Sequence, residues 1–72
     1  MLHYGSMSMI SVSSSAIAAI GYNPFTGTLA IRFHSSATVY EFPNVPLSVF
    51  VGLMAAGSKG DYYNLHIRGK YR

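Results

Sequence analysis

At 72 residues without a single Cys, the chain has room for one small domain and excludes both a two-domain enzyme and a disulfide- or thiolate-based scaffold. Half of the residues are apolar, 14% are aromatic and 10% are charged, so the composition is that of a folded chain whose thin core depends on aromatic packing. The net charge of +3 is concentrated at one end: residues 1–57 carry Arg32 and Glu41, whereas residues 58–72 carry Lys59, Arg68, Lys70 and Arg72 against Asp61 alone.

Residues 1–9 show no periodicity and are expected to form a disordered leader ahead of a single domain over residues 10–72. No Lys or Arg precedes Arg32, and Ser13, Ser14 and Ser15 interrupt any apolar run, so export through a secretory signal is not expected. The weakly polar stretch Val45–Gly57 is too short to span a bilayer and contains Pro46, Ser48 and Gly52. A cytoplasmic protein without a membrane segment is expected.

A first strand is expected over about Ala16–Tyr22, followed by a turn at Asn23-Pro24-Phe25-Thr26-Gly27, where Pro fixes φ and Gly supplies a left-handed residue. A two-residue turn at Ser35-Ser36 then sets Phe33 opposite Thr38, Ile31 opposite Tyr40 and Leu29 opposite Phe42. That register makes one face apolar. The other face carries Ala30, Arg32, His34, Ala37, Val39 and Glu41, with Arg32 diagonal to Glu41 and within ion-pair reach. The period then changes from two to near 3.6. Pro46 suits a first helical turn, Val49, Phe50, Leu53 and Met54 form one stripe, and Gly57 stops the helix. Ser58-Lys59-Gly60-Asp61 has the form of a capping box, which predicts a second helix running to Arg68 and ending at Gly69, with Tyr63 and Ile67 sharing a face that Tyr62 and Leu65 extend. The expected fold is α+β: a three-stranded antiparallel meander, one main helix and one short C-terminal helix.

Catalytic chemistry is hard to assemble from these residues. Glu41 and Asp61 are the only carboxylates and fall on different elements, which disfavours a paired general acid and base. His3, His34 and His66 come from three separate segments without metal-ligand spacing, so neither a metal nor another cofactor is expected. The Ser11–Ser15 region lacks the G-x-S-x-G turn of a hydrolase nucleophile. Gly52–Lys59 imitates a phosphate loop, but Ser58 and Lys59 stand in swapped order, and the segment closes a predicted helix where a phosphate loop would open one. A non-enzymatic binding module is the better reading.

The order of residues resembles the KTSC domain, a family named for its occurrence at the C-terminus of some lysyl-tRNA synthetases and also found as small stand-alone bacterial and phage proteins. The resemblance covers Ser14 to Tyr71. It rests on Ser14 and Ser15 before Ile17 and Ile20, on Gly21-Tyr22, on Leu29, Ile31 and Phe33, and on Val39-Tyr40-Glu41-Phe42, Val45-Pro46, Phe50 and Leu53. Its most specific part is the series Ala56-Gly57-Ser58-Lys59-Gly60-Asp61-Tyr62-Tyr63-Asn64, continuing through Ile67-Arg68 to Tyr71. Ala37 departs from the family, which often has Gly there. The resemblance implies no catalytic residue, and it makes RNA contact a reasonable expectation through the link to a tRNA-charging enzyme. The candidate nucleic-acid-binding residues are Lys59, Arg68, Lys70 and Arg72 on phosphates, with Tyr71 and Tyr62 stacking on an unpaired base. The alternative is a protein-interaction module or small homodimer, a phage accessory protein included, that covers leftover apolar area or an open strand edge.

Overall fold

The computed structural model describes residues 8–71; most of the expected leader, including His3, and Arg72 lie outside the described residues. Four strands and two helices follow in the order β1 (Ile10–Ser11), β2 (Ile17–Asn23), β3 (Thr28–Phe33), β4 (Val39–Phe42), α1 (Leu47–Ala55) and α2 (Lys59–His66). The strands form one antiparallel sheet in sequence order, and both helices cover one of its faces. The fold class is the expected α+β, with a correction in strand number. A two-residue strand, pairing Ile10 with Ile20 and Ser11 with Ala19, extends the meander to four.

The alternation between strands translates directly into register. Ile31 faces Tyr40 and Leu29 faces Phe42, as the spacing predicts. The connecting loop is longer than a two-residue turn: residues 34–38 lie between the strands, and Ser36 N–H donates to the Phe33 carbonyl at 3.2 Å. In β2 a bulge lies between Ile17, which faces Phe33, and Ala19, which faces Arg32, so Ala18 is an extra residue. The bulge lets Ile17 and Ile20, three apart, reach the core together, which strict alternation would forbid.

The core is aliphatic at its centre, with Ile17, Ile20, Leu29, Ile31, Leu53 and Ile67 all fully buried. An aromatic ring surrounds it. Tyr22 stacks on Phe50 with centroids 4.8 Å apart, and Tyr63 meets Phe33 edge-on at 5.0 Å. The Tyr22 hydroxyl donates to the Val45 carbonyl at 2.6 Å, and the Val45 N–H donates to the Gly27 carbonyl at 2.8 Å. The chain thus enters the helical layer with both backbone groups of Val45 bound. On α1 the expected stripe holds: Leu53 is buried, and Val49, Phe50 and Met54 pack against the core. On α2, Tyr63 and Ile67 share the inner face, but Leu65 is 68% exposed and does not extend it.

Candidate nucleic-acid interface

The candidate cations divide between the two ends of α2. At its C-terminal end the Ile67 and Arg68 N–H groups both donate to the Tyr63 carbonyl at 2.9 Å, which ends the helix. Lys70 N–H then donates to the Ile67 carbonyl at 3.0 Å, closing a turn around Gly69, whose φ is +73°. A side chain is strained at such a φ, so Gly is the natural residue there. Buried Ile67 and half-buried Tyr71, which packs on the core, pin the two sides of this turn. Between them Arg68 and Lys70 are exposed, next to a helix C-terminus whose carbonyls favour positive charge.

Lys59 occupies the opposite end of an eight-residue helix, about 12 Å away along its axis. Its ammonium donates to the Ala56 carbonyl at 3.1 Å. Ser58 caps the helix by accepting from the Asp61 N–H at 3.3 Å, as the capping-box pattern predicts. A groove of about 310 Å³ opens beside this end, lined by Ser13, Ser14, Ser15, Gly57, Ser58 and Lys59. Ser14 Oγ accepts from the Ala16 and Ile17 N–H groups at 3.2 Å each, so its hydroxyl hydrogen remains available to a further acceptor. The groove joins two segments distant in sequence. Reading the serines only as a polar strand approach gives no sign of it.

The aromatic candidates are anchored in the fold. Tyr62 lies over Gly52 of α1, so close that a Cβ there would collide with its hydroxyl, and its ring sits 4.5 Å from that of His66. It fills the seam between the helices. Tyr71 is half-buried, with its ring against the core. The structure therefore brings Arg68, Lys70 and Tyr71 into one short segment, sets Lys59 and Tyr62 elsewhere on α2, and does not describe Arg72.

The remaining polar groups are dispersed. His34 Nε2 is 2.9 Å from the Ser14 carbonyl, His66 is exposed in the last turn of α2, Glu41 is exposed on β4, and Asp61 is exposed in the first turn of α2. Among the described residues no three His, Asp or Glu side chains come together as a metal site. No helix among them is long and apolar enough to cross a membrane.

A four-stranded antiparallel sheet with two short helices on one face defines a small two-layer α+β domain. The KTSC domain model matches residues 13–71, and the chain belongs to the KTSC domain family. A protein from Tsukamurella paurometabola is 44% identical over 61 residues, covering 85% of this chain and 90% of that protein. A lysine–tRNA ligase from Nostoc sp. is 38% identical over 64 residues, which cover 89% of this chain and only 11% of the ligase. The crystal structure of a KTSC domain protein from Yersinia pestis superimposes with a TM-score of 0.87 at 36% identity, covering 92% of each chain.

Proposed function

We propose that this KTSC domain is a non-catalytic binding module that makes weak contact with single-stranded RNA in the cytoplasm. The observation that carries the reading is the Ile67–Tyr71 turn, which holds Arg68 and Lys70 exposed on a backbone closed by its own hydrogen bonds. A backbone that is already ordered removes the cost of ordering that segment when its cations engage a ligand. Arg68 offers a planar fork for two phosphate oxygens, Lys70 a compact point charge, and Arg72 continues the series in sequence. The outer part of the Tyr71 ring supplies a stacking surface. Lys59 adds a second contact at the far end of α2, beside the hydroxyls of the serine-lined groove. Tyr62 contributes by holding the helix in place, its ring lying against Gly52 and His66. The similarity to part of a lysine–tRNA ligase supports RNA as the ligand class.

The number of cations limits the strength of binding. Four phosphate contacts give a slope of log affinity against log salt no steeper than about −3 for a single strand, with a Kd near 10⁻⁴ M as an order of magnitude. Fluorescence anisotropy of a labelled single-stranded RNA at low salt tests this. Arg68→Ala combined with Lys70→Ala should weaken binding by at least about tenfold, equivalent to ~1.4 kcal/mol. Its unfolding free energy should stay within about 0.5 kcal/mol, because both side chains are exposed. Absence of binding, or binding indifferent to the double substitution, would overturn the proposal.

A further inference from the structure

Among the described residues the strand order leaves β1 and β4 as the edges of the sheet, and β1 offers only two residues. The four-residue β4 is the substantial edge, with Val39, Tyr40 and Glu41 all exposed. An edge strand carries unpaired N–H and C=O groups, which folded proteins commonly blunt with Lys, Pro or a bulge. None of these occurs within β4, whose ladder with β3 runs unbroken from Leu29–Phe42 to Arg32–Val39. Tyr40, on the helix-covered face, remains 46% exposed, so the helical layer stops short of this edge.

We propose that β4 pairs antiparallel with β4 of a second copy of this chain, about a two-fold axis through Tyr40, to form one continuous sheet. Directly opposed residues in such a pair lie on the same face, which restricts the register. Pairing Glu41 with its own copy would set two carboxylates directly opposite each other, a destabilising arrangement. Pairing Val39 with its own copy would draw on loop residues Ala37 and Ser36. Pairing Tyr40 with its own copy keeps the ladder over Val39–Glu41 and sets Val39 opposite the partner's Glu41. Within this chain Arg32 is the cross-strand neighbour of Val39. On the outer face each half of the interface then reads Arg32, Val39, partner's Glu41, with opposite charges flanking an apolar residue and no like charges adjacent. On the other face the two Tyr40 rings form a cross-strand aromatic pair. The axis is perpendicular to the sheet, so both helical layers lie on the same side of the dimer. A pair of four-residue strands covers less than the roughly 800 Å² per partner of a standard interface, which makes the association weak and concentration-dependent.

This inference is independent of the RNA reading, because Arg68 and Lys70 take no part in β4. Its test uses the absence of Cys from the chain. Across the axis the two Cα atoms of residue 40 would be about 4.5–5.5 Å apart, within disulfide range. Tyr40→Cys should therefore form a disulfide-linked dimer under mild oxidation. Val39→Cys alone and Glu41→Cys alone should not, whereas an equal mixture of the two should cross-link. Should Tyr40→Cys fold poorly, the mixture decides the matter, since Val39 and Glu41 are both exposed. Sedimentation of the unaltered chain should show mass rising from monomer towards dimer with concentration. Glu41→Arg should weaken this association about tenfold, and Arg32→Glu added to it should restore the association. A monomer at every concentration, cross-linking of the mixture no faster than that of exposed Leu65→Cys, or equal cross-linking at 39, 40 and 41, overturns the proposal.

Discussion

At its first turn α2 is held by polar contacts and its cation is tied back: Ser58 caps Asp61, and Lys59 donates to the Ala56 carbonyl. Past its last turn the chain is closed by backbone hydrogen bonds as well, but there Ile67 and Tyr71 anchor it in the core and its cations are exposed. The two ends differ in whether the cation takes part in the anchoring. One consequence is functional: an end fixed by buried side chains leaves Arg68 and Lys70 wholly to a ligand, whereas Lys59 keeps one of its three donors on the Ala56 carbonyl and offers a ligand the other two.

Removing the apolar anchor should have the largest effect. Ile67→Ala leaves a cavity at a fully buried position and should cost about 3 kcal/mol in denaturant unfolding. RNA affinity should fall with it, because the turn that carries the cations loses its support. A loss below about 1 kcal/mol would show that Tyr71 alone suffices to hold that end. Removing the polar anchor should cost less. Ser58→Ala deletes the cap and should lower stability by about 1 kcal/mol, leaving contacts at Arg68 and Lys70 intact. Equal losses from the two substitutions would erase the contrast between the ends. Smallest of all in stability terms is the double replacement of Arg68 and Lys70, whose effect should appear in RNA binding alone.

Much of the sheet was legible because alternation is a local property. Leu29, Ile31 and Phe33 against Tyr40 and Phe42 allow few registers, and the structure adopts the one that puts the apolar residues on the helix side. The capping serine was equally legible, since its signal lies within four residues. The two-residue β1 carries no period of its own and exists only through its ladder with Ile20 and Ala19. Leu65 was misplaced because an eight-residue helix samples each face barely twice, so one leucine does not define a stripe. For the candidate site, the charge excess locates the segment but not the separation of Lys59 from Arg68 and Lys70. The role of Tyr62 depends on the absence of a side chain at Gly52, on another helix. The serine groove depends on a tertiary approach between residues 13–15 and 57–59.

Val45 has its amide bound by Gly27, its carbonyl bound by Tyr22, and its side chain 2% exposed. It stands where the chain passes from sheet to helices, the usual place for a hinge. With both backbone groups bonded and the residue in the core, a pivot there would break two hydrogen bonds and expose buried apolar surface. A ligand that needed the sheet and the helices to move apart at this point would carry that cost.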